Sequence, residues 1–175
     1  MLEFETVKVI AGIIAHEMAL PVAQIALYEQ GDPEPGQTVG LRIAIDILEK
    51  KVLNNNVRHE TREGSSNFWE VQTMQVQELI SINIFSTGQE AHERNHEIVL
   101  ALGSTYAQQV QEKHGLHICR IPTAFTKAYA PELLTRANHY TITVNAQRAH
   151  KKEGNVDYYN QFQPVEIITQ PTTHN

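Results

Sequence analysis

One cysteine in 175 residues, Cys119, has no partner for an internal disulfide, so packing and hydrogen bonds alone must hold the fold. Such a chain is expected in a reducing compartment, with Cys119 as a small buried hydrophobe. Long apolar runs are scarce as well. The one near the start, VIAGIIA at residues 9–15, falls far short of the roughly 18 residues that span a bilayer. Glu3 and Glu5 stand where a secretory leader would carry basic residues, so a soluble protein assembled in the cytoplasm is expected. Positive charge is in short supply too: 14 Lys and Arg face 20 Asp and Glu, a formal charge of −6, which argues against a broad basic surface for nucleic acid. No glycine-rich loop lies between a strand and a helix; Gly31, Gly36 and Gly40 fall among prolines ahead of a strand, so no nucleotide is expected.

What is present is enough for one hydrophobic core, and its periodicity changes along the chain. Val9, Ile10, Ile13, Ile14 and Met18 recur at spacings of three and four, which predicts an amphipathic helix that Pro21 stops. A short strand in VAQIALY precedes EQGDPEPGQT, a loop punctuated by proline and glycine. In VGLRIAIDIL the residues Val39, Leu41, Ile43, Ile45 and Ile47 alternate with smaller or polar ones, the period of a strand with one buried face. Residues 71–85 supply a partner through Met74, Val76, Ile80, Ile82 and Ile84, with Glu78 as the exception on that face. Together they predict a long antiparallel hairpin.

Between these strands NNNVRHETREGSSNFW reads as a long polar loop, residues 54–69, either without order of its own or ordering against a partner through Phe68 and Trp69. Thr87 and Glu90 form a capping-box pattern for a second helix with a core stripe of Ala91, Ile98, Val99, Leu102 and Tyr106, closed at Gly115. Strands follow in LHICRI and HYTITVNAQ. A second loop at residues 150–163 and a terminal strand, VEII, complete the pattern. The order predicts an α+β fold: a mostly antiparallel mixed sheet flanked by two main helices, with a long hairpin extension, in one domain over residues 1–168 and a flexible tail at 169–175.

The one segment with the letters of a catalytic site is His92-Glu93-x-x-His96, the spacing with which zinc peptidases hold Zn²⁺ and activate its water. A zinc-dependent hydrolase is therefore one reading. The chain has nine histidines, however, and at about 100° per residue the core stripe leaves His92 at its edge and His96 toward solvent. A catalytic zinc also takes a third protein ligand, and Glu112 and His114 are no better placed than many others. His16-Glu17-Met18 has no second histidine four residues on, and Cys119 beside His117 lacks the cleft a nucleophile needs. No catalytic residue, metal or cofactor is expected.

In layout, and in the segments YEQGDPEPGQTVGLRIAI, ELISINIFSTGQEAHERNHEIVLAL and GLHICRIPTAFTKAYAPELLTRANHYTITVNAQRAH, the chain resembles the neck or tail terminator proteins of tailed phages. Gly88 and Ala91 match the family's strand-to-helix junction, and Arg136 the arginine ahead of its next strand; the segment GQT before Val39 departs from the pattern, where a further proline stands in the family. The resemblance covers residues 5–168. It implies a structural virion protein, not an enzyme, that forms a ring, commonly of six subunits, at the head-proximal end of the tail. Its partners would be further copies of itself, the tail tube, the sheath where one exists, and the head connector, with DNA only passing through the lumen. Another head-tail connector or interaction module of similar shape is the alternative. On either reading Arg58, Arg62, Phe68, Trp69, Tyr158, Tyr159 and Phe162 are the expected interface residues.

Overall fold

The first helix, α1 (Glu5–Glu17), forms because Val7, Val9, Ile10, Ile13 and Ile14 fall on one stripe, and all five are buried. A computed structural model describes this helix with the rest of residues 5–27, and residues 40–61, 68–121, 124–127 and 138–156. After Pro21 a single 3₁₀ turn, Val22–Gln24, leads into the short strand β1 (Ile25–Leu27). The remaining elements are β2 (Arg42–Thr61), β3 (Phe68–Ser86), α2 (Glu90–Leu102), α3 (Thr105–His114), β4 (Leu116–Ile118), β5 (Thr126–Lys127) and β6 (Asn138–Val156). The sheet runs β1-β2-β3-β6-β4, with β5 also paired to β6; only the β1–β2 pairing is parallel. Among the described residues three α-helices and a mixed six-stranded sheet make the α+β fold that the periodicities indicate.

Residues opposite one another in register share a face, which divides the sheet into two unlike sides. Ile43, Ile45, Ile47, Ile84, Ile82, Ile80, Ile142, Val144 and Ala146 line the side under the helices. Apart from the half-buried Ile47 they are buried, and they join α1, Ile98 and Leu102 in one hydrophobic cluster. The other side carries Asp46, Ser81, Asn83, Thr141, Thr143 and Asn145.

Several sequence expectations change. First, the polar stretch from Asn54 is strand: residues 54–61 of the predicted loop at 54–69 pair one by one with 75–68 of β3, and residues 62–67 lie outside the described residues. In the same way the predicted loop at 150–163 begins as strand, since residues 150–156 pair with 74–68. Asn54 to His59 and Lys151 to Glu153 are exposed, which hides the period of two, while the backbone groups that face β3 are paired across the ladders. Second, the predicted single helix to Gly115 is two, because Ser104 takes extended geometry and caps α3, its side chain accepting the Ala107 N–H at 3.0 Å. Gly115 closes α3 in the left-handed region, φ 60°, where a side chain is unfavourable. Third, Thr87 does not cap α2. Ser86 does so from further back, its buried hydroxyl accepting the Ala91 N–H at 2.9 Å and donating to the Gly88 carbonyl at 2.8 Å. The strand expected at LHICRI is limited to Leu116–Ile118, with the Cys119 N–H donating to Asn145 O at 2.7 Å. The terminal VEII lies outside the described residues.

At 3.4 Å per residue the 19 or 20 residues of β2, β3 and β6 run for about 65 Å. The helical layer ends near Ile80 and Val144, so the outer halves of these strands form a three-stranded arm.

Candidate functional site

The histidines of the zinc-like pattern stand on the outer face of α2, and both His92 and His96 are exposed, with Glu93 between them also in solvent. His92 shares a hydrogen bond of 2.7 Å between Nδ1 and the Tyr140 hydroxyl, an interaction that ties α2 to β6 and occupies one ring nitrogen. Among the described residues no group of three or more His, Cys, Asp or Glu side chains is arranged to hold a metal. Arg94 has a structural task on the same helix. It donates through Nε and Nη2 to the Glu97 carboxylate at 2.7 to 3.0 Å and through Nη2 to the Met18 carbonyl at 3.1 Å, fastening α2 to the end of α1. That hydrogen bonding holds the Glu97 carboxyl below its ordinary range and raises Arg94 above its own, although both side chains are about a third exposed and the pair contributes little.

Cys119 is half-buried rather than fully enclosed, and burial pushes its thiol up, away from the reactive thiolate. A shallow groove of about 370 Å³ opens beside it between α3 and β4, lined by Leu102, Gln111, Leu116, His117, Ile118 and Ile121. Gln111 is committed there, since its Oε1 accepts the Ile118 N–H at 2.7 Å and holds β4 to α3. Gln108 and Glu112 also line the groove.

On the side of the sheet away from the helices the polar residues bond to each other. Asn83 Oδ1 accepts from Thr141 Oγ1 at 2.8 Å and lies 3.2 Å from His139 Nε2, while Asn83 Nδ2 donates to Ser81 Oγ at 3.2 Å. Burial holds His139 below the ordinary histidine value of 6.5. The unfolded chain therefore takes a proton that folded His139 resists, so this contribution to stability is complete above that value and is lost as the pH falls toward the lowered one. Melting temperatures measured from about pH 7.5 to about pH 5 should fall more steeply for the wild type than for His139→Gln. Parallel pH curves for the two proteins would remove His139 as the responsible group.

Three of the seven expected interface residues fall on the arm. Arg58 is exposed on β2 and pairs with Glu60 at 2.7 Å; Trp69 is half-buried on β3, level with Glu60 and Asn155; and Phe68 opens β3 between Thr61 and Val156. Arg62, Tyr158, Tyr159 and Phe162 lie outside the described residues. What residue-by-residue inspection missed is the arm's outer strands. Beyond the short β1, only β3 pairs with β2, and beyond Arg148 only β3 pairs with β6, among the described residues. Among the described residues no further strand lies outside either of these edges, and a strand edge is where another chain can add. The structure shows an excess of exposed apolar residues on β2: Leu48, Val52, Leu53 and Val57 are four of the six large exposed hydrophobics of the described residues. Among the described residues no helix is long and apolar enough to cross a membrane.

No protein-family description and no curated protein matches this chain.

Proposed function

We propose that this chain is a structural virion protein that forms a ring, of six copies by the resemblance described above, at the head-proximal end of a phage tail. There it ends polymerisation of the tail tube and joins the tail to the head connector. The observation that carries the reading is the arm: three strands that leave the helical layer, with no further strand on either side among the described residues and with Val52, Leu53 and Val57 exposed. An edge of this kind in a lone soluble domain is an association hazard, whereas in a protein built to assemble it is the joint. Two different edges on one subunit give a heterologous contact, which closes into a ring when the rotation per subunit allows. The formal charge of −6 also suits a passage for DNA, because a like-charged wall does not retain the duplex.

Imaging of concentrated protein, alone and mixed with tail tubes polymerised in vitro, tests the proposal. Rings in the first sample, and tubes capped at one end in the second, are expected. Protein that stays monomeric at the highest concentration and leaves tube length unchanged would remove it.

A further inference from the structure

The two edges of the arm match each other in length and level. Two irregularities interrupt β2, one between Ile47 and Glu49 and one between Val52 and Asn54, and bulges of this kind discourage edge pairing close to the helical layer. Beyond them residues 54–61 run without a break against residues 75–68 of β3, and on the other side of β3 the same stretch is met by residues 149–156 of β6. The regular outer edges are therefore equally long and in step. Both β2 and β6 are antiparallel to β3, so they run parallel to one another. Head-to-tail repetition of the arm would place β2 of one copy beside β6 of the next, with the same sheet face continuing across the joint.

Charge agrees with that arrangement. Arg58 and Glu153 both lie level with Val71, on the side of the sheet away from the helices. Along each edge the sign alternates, Arg58 and Glu60 on β2, Lys151 and Glu153 on β6, and each pair is already bridged within its own strand. Level pairing sets Arg58 beside the neighbour's Glu153, and leaves Glu60 beside Asn155 and Lys151 beside Asn56. A slip of two residues that brought Arg58 beside Lys151 would also set Glu60 beside Glu153. Pairing β2 with β2 of a second copy is less favourable: the antiparallel register that sets Val52 against Val57 also opposes Arg58 to Lys51 and Glu60 to Glu49.

The geometry points to a joint between copies of this chain in which residues 54–61 of β2 add in parallel to residues 149–156 of a neighbour's β6, in level register with Arg58 beside Glu153. This inference rests on the assembly reading above and names its contact surface. The occupant is a second copy, because the arm itself carries both an edge to be filled and a strand of the right length to fill it. Val57, 45% exposed, lies within the regular stretch and would be covered by the joint.

Disulfide trapping tests it in the full chain with Cys119→Ser as background. Residues 56 and 151 both lie level with Thr73 and are two strands apart within one copy, about 10 Å, beyond the roughly 7 Å between Cα atoms that a disulfide spans. Any Asn56→Cys, Lys151→Cys bond must therefore join two copies. Oxidation of the double variant is expected to give a ladder of linked oligomers, with Asn56→Cys alone remaining unlinked. Arg58→Glu should raise the concentration needed for half-assembly by about tenfold, and adding Glu153→Arg should restore it. Rings that form while the double variant stays unlinked would overturn the joint and leave the assembly reading standing. Dimers from Asn56→Cys alone would overturn it in favour of paired β2 strands, and a monomer under every condition would remove both inference and reading.

Discussion

Ile82→Ala is expected to lower the unfolding free energy by about 3 to 4 kcal/mol, because the lost transfer energy adds to a cavity that the sheet cannot collapse to fill. Ile82 lies in the inner half of β3, which has a strand on each side, and it is opposed by Ile45 and Ile142 on the face under the helices. All three side chains are buried to within 1% of complete enclosure. For a chain of this size each kcal/mol shifts the melting temperature by roughly 2 to 4 °C, so a fall of about 10 °C is the readout. Leu48→Ala, at a residue 55% exposed on β2, serves as the comparison and should stay within about 0.5 kcal/mol of the wild type. If the two variants melted together, the division of the sheet into a packed face and a solvated arm would be wrong.

The second large effect is expected where the core gives way to the arm. Glu78 continues the helix-facing row of β3 after Ile80, and only 7% of it is exposed. Its Oε1 lies 3.5 Å from Lys50 Nζ on β2, while Oε2 has no hydrogen-bond partner among the described residues. One step further out Arg148 reaches back to Glu5 at the start of α1, Nη2 to Oε2 2.6 Å. Lys50→Met leaves the buried carboxylate without its nearby cation and is expected to cost about 2 kcal/mol, below the 3 to 5 kcal/mol of a fully buried pair because a third of the lysine side chain is already in water. Adding Glu78→Met removes the stranded charge and should recover most of that loss. Urea unfolding of the two single variants and the double completes the cycle. A double variant no more stable than Lys50→Met alone would show that desolvation of the Glu78 carboxylate is not the cause.

The core was readable because its periodicities are strong where one side is dry. Ile43, Ile45 and Ile47 alternate cleanly, as do Ile80, Ile82 and Ile84, and the helical spacing of Val9, Ile10, Ile13 and Ile14 leaves no alternative. The arm was hidden for the same physical reason. Asn54 to His59 and Lys151 to Glu153 are exposed, so their side chains show no alternation to record that their backbones are paired. The break between α2 and α3 escaped because apolar spacing continues across it through Leu102 and Tyr106, although Gly103-Ser104 is itself a stop and a cap. The solvent placement of His92 and His96 followed from helical geometry alone, while the Tyr140 hydroxyl that holds His92 lies 48 residues away and had no local signal.

The ladder between β3 and β6 is continuous over all 19 pairs, whereas β2 carries both irregularities of the long strands, at Leu48 and Leu53. Removing either leucine would bring its neighbours into direct succession without changing any partner further along β2. A residue deleted from β3 or β6 would instead turn every later side chain through the sheet. A change of one residue is thus absorbed at the two bulges of β2, while the β3–β6 ladder holds one register from end to end.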